Sequence, residues 1–128
     1  METVFQELID KAKEARANAY APYSKFLVGS ALITENGKIF TGCNIENVSL
    51  GLSICAERVA IFKAVAEGIK DIRAIAVIGD TEEPCTPCGA CRQVMIEFAP
   101  DMKVVMANLH NKIKIKKARD LLPDAFKG

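Results

Sequence analysis

The sequence predicts a three-layer α/β/α domain, in which helices cover both faces of one mixed five-stranded sheet. Three observations support this prediction: strand-like and helix-like segments alternate, Asn36-Gly37 marks a hairpin turn, and two short segments are almost wholly apolar. Alternating strands and helices indicate a sheet with helices packed on its faces. Almost wholly apolar strands are typical of a sheet that is covered on both sides.

Each element has a local signal. Thr3 and Gln6 have the spacing of a helical capping box, Gly68 is expected to stop the second helix, and Pro87 suits the first position of the third. Alternation of Ile with Lys over 112–116 predicts a half-buried edge strand that is protected by charge. In chain order we expect a helix (3–19), two strands (25–34 and 38–44), a helix (54–67), a strand (72–78), a helix (87–98), two strands (103–106 and 112–116) and a short helix (118–122).

Length and composition limit the class of protein. A chain of 128 residues predicts a single domain, 1–128, and 17 basic against 16 acidic side chains are too balanced for a domain that binds nucleic acid. No apolar run approaches the ~18 residues of a membrane helix. The first residues lack the basic and then apolar pattern of a secretory signal. We therefore expect a cytoplasmic protein with neither a nucleic-acid nor a membrane partner.

The cysteines are the most informative residues. A reducing compartment argues against disulfides among the five, and the count is odd. Cys88 and Cys91 lie three residues apart at the start of a predicted helix, so both sulfur atoms can reach one ion. Cys55 opens another predicted helix and can converge on the same ion if the two helices lie side by side. Three thiolates leave one position of a tetrahedral zinc ion open for water, as in a catalytic site.

The neighbours of these cysteines suggest further roles. Glu57 would stand beside the water as a proton carrier, and Arg58 would offset the negative charge of three thiolates around zinc. Cys85 precedes Thr86-Pro87 and is expected to point elsewhere, because a residue before proline is pushed towards extended geometry. Two alternatives remain open: the cysteines are buried apolar residues, or Cys85 is the fourth ligand of a structural zinc module.

Five stretches of the chain form a wider pattern. They are YAPYSKF (20–26), GCNIEN (42–47), CAER (55–58), PCGACRQ (87–93) and LLPDAF (121–126). In this order they resemble the small zinc-dependent cytidine deaminases of the cytidine and deoxycytidylate deaminase family, whose signature includes Cys-x-Glu and Pro-Cys-x-x-Cys. The resemblance extends over nearly the whole chain. It implies a cytidine deaminase-like α/β/α fold.

The resemblance also implies roles for individual residues. Glu57 would be the proton shuttle. Leu50 departs from the aromatic residue that related sequences often place near a neighbour's site. The implied zinc ligands are Cys55, Cys88 and Cys91, and the implied substrate-binding residues are Phe26 beside the base, Asn44 and Glu46 at the ribose hydroxyls, Ala56, and Phe126 in a neighbouring subunit's site.

The reaction that the resemblance implies is hydrolytic deamination of cytidine and deoxycytidine to uridine and deoxyuridine, with release of ammonia, in pyrimidine salvage. The family is typically a homotetramer with shared active sites, so we expect further copies of this chain as partners. A competing hypothesis within the same class is deamination of a modified nucleoside or a cytosine-bearing antibiotic. Comparing the turnover of cytidine with that of such compounds distinguishes the two.

Overall fold

Four α-helices, five strands and one short 3-10 helix occur in the computed structural model, which describes residues 1–128. In chain order they are α1 (Thr3–Arg16), β1 (Val28–Thr34), β2 (Ile39–Cys43), a 3-10 helix (Leu50–Leu52), α2 (Ala56–Ala66), β3 (Ile72–Gly79), α3 (Gly89–Phe98), β4 (Lys103–Asn108), β5 (Ile113–Lys117) and α4 (Ala118–Leu121). The predicted order of helices and strands is confirmed. The 3-10 helix was not predicted.

The strands form one mixed sheet in the order β2-β1-β3-β4-β5. Strands β3 and β4 are parallel and are connected through α3, whereas the other neighbouring pairs are antiparallel. Val28 at the start of β1 pairs with Gly79 at the end of β3, and the next residue, Gly29, pairs with Cys43 at the end of β2. The start of β1 and the ends of β2 and β3 therefore meet at one edge of the sheet.

Helices cover both faces of the sheet, which confirms the three-layer prediction. On one face, α1 buries Phe5, Leu8 and Ala12 against alternate residues of β1, β3 and β4. On the other face, α2 and α3 bury Ile61 and Met95 in a second cluster. The alternation of strand side chains between the two clusters follows from the two-residue period of a β-strand. None of the helices has the length and apolar character needed to cross a membrane.

The start of α1 differs from the capping-box prediction. Glu2 is the N-cap residue, and its carbonyl accepts a hydrogen bond from the Phe5 amide at 3.0 Å, while Thr3 is already helical. No side chain caps this helix. The helix also ends at Arg16, before the predicted Ala19, and the Arg16 Nε donates to the Leu27 carbonyl at 2.9 Å.

Two other local predictions need correction. Pro87 lies before the N-cap of α3 rather than at its first position, because Cys88 is the N-cap residue. Strand β5 is an edge strand as predicted, but it is exposed throughout, and Ile113 and Ile115 remain 37% and 38% accessible. The apolar cluster under α1 extends to β4 and includes no residue of β5. Gly68, with φ of 82°, ends α2 as predicted.

Candidate active site and metal centre

The N-termini of α2 and α3 bring three cysteines together. Cys55 is the N-cap residue of α2, Cys88 is the N-cap residue of α3, and Cys91 lies in the first turn of α3. The three sulfur atoms lie within 4.8 Å of one another, and those of Cys55 and Cys88 are 3.7 Å apart. The structure therefore gathers the three cysteines for which zinc binding was predicted.

The geometry and chemistry of this cluster fit zinc. Tetrahedral coordination with Zn–S bonds of ~2.3 Å places sulfur atoms about 3.8 Å apart, which agrees with the 3.7 Å between Cys55 and Cys88. The position of Cys55 at the N-terminus of α2 favours its thiolate, the form that binds zinc. Because the cluster supplies three ligands, a fourth tetrahedral position is left for water or substrate.

Arg58 lies next to the cysteine cluster, as predicted. Its Nη2 atom donates to the Cys55 sulfur at 3.4 Å, and its buried Nε has no hydrogen-bond partner. A hydrogen bond from the Cys91 thiol, together with the Arg58 guanidinium, lowers the pKa of Cys55 to about 5. A guanidinium at this distance compensates part of the negative charge that three thiolates bring to the site.

Glu57 is the buried carboxyl group of the site. It follows Cys55 by two residues in the first turn of α2, and only 3% of it is accessible. Burial raises the pKa of Glu57 to about 7, because the charged form loses its hydration. A carboxyl group that titrates near neutral pH can both accept and release a proton under physiological conditions. This property suits the predicted proton shuttle.

A cavity of about 210 Å³ lies at the sheet edge where β1 starts and β2 and β3 end. Seven of the predicted site residues line it: Phe26, Asn44, Glu46, Cys55, Ala56, Glu57 and Cys88. The remaining wall is formed by Ser24, Val28, Val77, Cys85 and Thr86. The cavity therefore joins the predicted base-binding and sugar-binding residues to two members of the three-cysteine cluster, Cys55 and Cys88.

Asn44 and Glu46, the predicted sugar-binding residues, follow β2 and are hydrogen-bonded to the first residue of β1 and to the segment before it. The Asn44 Oδ1 accepts from the Val28 amide at 2.9 Å, and its Nδ2 donates to the Phe26 carbonyl at 2.8 Å. The Glu46 Oε1 accepts from the amides of Tyr23 and Ser24 at 3.0 and 3.1 Å. Its Oε2 accepts from the Ser24 hydroxyl. A carboxylate has about four acceptor positions, so Glu46 retains acceptor capacity for a ligand.

Cys85 is buried and lines the cavity, but it is not part of the three-cysteine cluster. Its amide donates to the Ala107 carbonyl at 3.0 Å, which fixes this position against β4. Burial raises the pKa of the Cys85 thiol to about 11, so it stays protonated near neutral pH. This arrangement favours a three-ligand centre over a structural module with four cysteines. Its place in the cavity wall was not predicted.

Phe126 does not line the cavity of its own subunit. It is 79% exposed, and its carbonyl accepts from the Gln93 Nε2 at 3.0 Å. Arg92 donates from Nε to the Pro87 carbonyl at 2.9 Å and from Nη1 to the Leu121 carbonyl at 2.8 Å. The two neighbouring residues of α3 therefore hold the C-terminal segment next to the turn that carries Cys88.

A three-thiol centre at two helix N-termini, with a buried carboxyl group in a Cys-x-Glu sequence, defines the class of zinc-dependent deaminases. Residues 3–108 match the model of the cytidine and deoxycytidylate deaminase zinc-binding region. The chain belongs to this family. The resemblance drawn from the five sequence stretches is thus confirmed, and so is the zinc-binding character of the region.

Individual relatives agree with this assignment. The chain is 53% identical to the cytidine deaminase of Halalkalibacterium halodurans over 122 residues, which cover 94% of this chain and 92% of that protein. It is 46% identical to a probable cytidine deaminase of Dictyostelium discoideum over 122 residues, which cover 94% of this chain and 82% of that protein. The crystal structure of a cytidine deaminase from Burkholderia pseudomallei superposes with a TM-score of 0.94 at 53% identity, covering 98% of this chain and 100% of that chain.

Proposed function

We propose that this protein catalyses the hydrolytic deamination of cytidine and deoxycytidine to uridine and deoxyuridine, with release of ammonia, in pyrimidine salvage. The observation that carries the proposal is that Glu57 and the Cys55–Cys88 pair line the same cavity as Phe26 and Glu46. Relatives that are named cytidine deaminases support the choice of substrate.

In the proposed reaction, Cys55, Cys88 and Cys91 would hold the zinc ion. When bound, zinc would act as a Lewis acid and make water more acidic. Glu57 accepts a proton from the attacking water and passes it to N3 of the cytosine ring, because attack at C4 breaks the aromaticity and leaves charge there. Glu57 then delivers the second proton of the water to the departing amine. Ammonia leaves, and C4 retains the oxygen of the water as a carbonyl.

The remaining residues of the cavity bind and orient the nucleoside. Phe26 and Ala56 flank the base, while Asn44 and Glu46 bind the ribose hydroxyls. Binding energy at the sugar positions the reacting carbon, so a nucleoside is a better substrate than free cytosine. The Glu46 carboxylate also repels a 5′-phosphate, and nucleotides are therefore poor substrates.

We infer that the active protein is a cytoplasmic homotetramer with shared active sites. Four apolar side chains, Val48, Leu50, Leu52 and Phe126, are more than 70% exposed, and association of several copies would remove them from water. In this assembly Phe126 reaches the site of a neighbouring subunit. The five cysteines are all free, which suits a reducing compartment.

The proposal is tested with purified, zinc-loaded protein. The fall in cytidine absorbance and the release of ammonia are followed for cytidine, deoxycytidine, free cytosine, cytidine monophosphate and a cytosine-bearing antibiotic. We expect the two nucleosides to be turned over best. A Glu57→Gln preparation serves as the control for contaminating host deaminase. Equal inactivity of the wild type and Glu57→Gln towards the two nucleosides would overturn the proposed reaction, and preference for the antibiotic would reassign the substrate.

A further inference from the structure

The turn that carries Phe26 into the cavity wall is held by Glu46, the residue proposed to bind the sugar. Both carboxylate oxygens of Glu46 accept hydrogen bonds from this turn: Oε1 from the amides of Tyr23 and Ser24, and Oε2 from the Ser24 hydroxyl. The proposed reaction gives no role to Ser24. Its side chain nevertheless lies between the sugar-binding and base-binding residues.

The Ser24 hydroxyl links Glu46 to the backbone of Phe26. It donates to the Glu46 carboxylate, which can only accept, and its oxygen accepts from the Phe26 amide at 3.0 Å. Hydrogen bonds that run in one direction polarise one another, so each strengthens the next. The Ser24 side chain alone thus links the Glu46 carboxylate to the backbone amide of Phe26.

The backbone between Ser24 and Phe26 depends on these hydrogen bonds. Lys25 has φ of 62°, in the left-handed region that residues other than glycine rarely adopt. Its amide donates to the Ala21 carbonyl at 2.9 Å on one side, and the Ser24 oxygen accepts from Phe26 on the other. Removing the Ser24 hydroxyl leaves this unfavourable conformation with less support.

The Phe26 ring has little room on the side of β3. A Cβ atom added at Gly79 would lie 3.0 Å from the ring Cζ and 3.2 Å from the Cys85 sulfur, so the ring packs directly against the bare glycine. A change in the turn therefore cannot be absorbed by movement of the ring towards β3. It moves the ring within the space that the base would occupy.

We propose that Ser24 is a positioning residue, which couples binding of the sugar hydroxyls at Glu46 to the placement of the Phe26 ring beside the base. This inference rests on the proposed nucleoside deaminase function, because it concerns the residues proposed to bind the sugar and the base in that site. A sugar hydroxyl that binds Glu46 holds the carboxylate in place, and the Ser24 hydroxyl transmits this restraint to the turn.

The test measures KM and kcat of zinc-loaded protein for cytidine and for 2′,3′-dideoxycytidine, which lacks both sugar hydroxyls. Replacing Ser24 by Ala is expected to raise KM for cytidine about tenfold, as expected for one lost hydrogen bond to a charged group. It should leave kcat within about twofold, because Glu57 and the zinc ligands are unchanged. The rise in KM for the dideoxy substrate should be much smaller, since that substrate has no sugar hydroxyl at the 2′ or 3′ position to bind Glu46.

Three further measurements separate positioning from a general structural role. Ser24→Thr keeps the hydroxyl and is expected to restore KM. Ser30→Ala is the matched control: the Ser30 hydroxyl donates to the Ala76 carbonyl at 2.7 Å inside the sheet, so its loss should lower stability without changing the ratio of the two KM values. Dissociation constants of the products, uridine and 2′,3′-dideoxyuridine, should show the same selective loss in Ser24→Ala without any turnover.

The inference is overturned if Ser24→Ala leaves KM for cytidine unchanged, or if it weakens cytidine and its dideoxy analogue equally. Failure of the threonine variant to restore KM, with wild-type thermal stability, would also overturn it. Absence of wild-type activity towards cytidine would instead contradict the proposed function. The two failures are therefore distinguishable in the same set of assays.

Discussion

The sulfur atoms of Cys55 and Cys88 lie 3.7 Å apart although 33 residues separate the two positions. Each cysteine is the N-cap residue of a different helix. The pair therefore exists only because the sheet places the starts of α2 and α3 side by side. Loss of either sulfur removes a metal ligand and part of the negative charge that compensates the two helix N-termini.

Replacement of a zinc ligand should remove the metal and destabilise the fold. In Cys88→Ala and Cys91→Ala we expect loss of stoichiometric zinc and a marked fall in melting temperature, because metal binding is coupled to folding. Zinc content is measured by atomic absorption after gel filtration. Cys85→Ser and Cys43→Ser are the matched controls and should retain one zinc ion per chain. Complete loss of zinc in Cys85→Ser would contradict the three-ligand centre.

Glu57→Gln should separate metal binding from catalysis. Glutamine keeps the shape and much of the hydrogen bonding of the side chain but cannot carry the proton. We expect retained zinc and a loss of kcat of about 10²-fold to 10⁴-fold, the usual contribution of general acid–base catalysis. Glu7→Gln, on the exposed face of α1, is the control for removing a carboxylate elsewhere. Near-wild-type activity of the zinc-loaded Glu57→Gln protein would falsify the proton-shuttle assignment.

The buried Glu57 should also give the metal-free protein a characteristic pH dependence. Its pKa rises from the ordinary 4.5 to about 7 in the folded protein. Between these pH values the folded chain holds a proton that the unfolded chain has lost, so this group's stabilisation is present below pH 4.5 and disappears towards pH 7. A shift of that size corresponds to about 3 kcal/mol in the free energy of unfolding.

Urea unfolding in the presence of a chelator measures this effect. Other groups, including Cys55, titrate over the same range, so the informative quantity is the difference between Glu57→Gln and the wild type. The variant should become relatively more stable as the pH rises from 4.5 to 7. Parallel stability curves for the two proteins would show that the Glu57 carboxyl is not desolvated in the folded chain.

Phe126→Ala should weaken substrate binding despite the distance of this residue from its own cavity. An aromatic ring stacked on a base contributes roughly 1–3 kcal/mol by analogy with nucleic-acid stacking, or about tenfold to more than a hundredfold in affinity. We expect a fall in kcat/KM with the oligomer intact, measured by kinetics and light scattering. Dissociation into monomers would assign the ring to the interface. If the wild-type protein is a monomer and the kinetics of the variant are unaltered, the proposal of a shared active site is wrong.

Features with a local cause were predictable from the sequence. The Asn36-Gly37 turn depends on backbone preferences, and it lies where predicted, with Gly37 at φ of 91°. The buried strands β3 and β4 were equally clear, because few other segments of such length are as apolar. Cys88 and Cys91 are three residues apart, and this spacing predicts that their side chains lie on the same face of one helical turn.

Features that depend on distant backbone groups were not predictable. The side chains of Asn44 and Glu46 are bonded to backbone groups 16 to 23 residues away, which no local pattern reveals. The exact helix starts were also not predictable. The N-cap of α1 is Glu2 rather than Thr3, and the Glu2 carbonyl accepts hydrogen bonds from the amides of Phe5 and Gln6 at 3.0 and 3.4 Å.

The division of the zinc ligands between α2 and α3 also orders the assembly of the protein. During synthesis, the chain up to the end of β3 contains only Cys55 of the three ligands. Cys88 and Cys91 follow β3, so the set of three ligands is complete only once the chain has reached the first turn of α3. A zinc ion held by all three would therefore tie the β3–α3–β4 crossover to α2, an element from the first half of the chain.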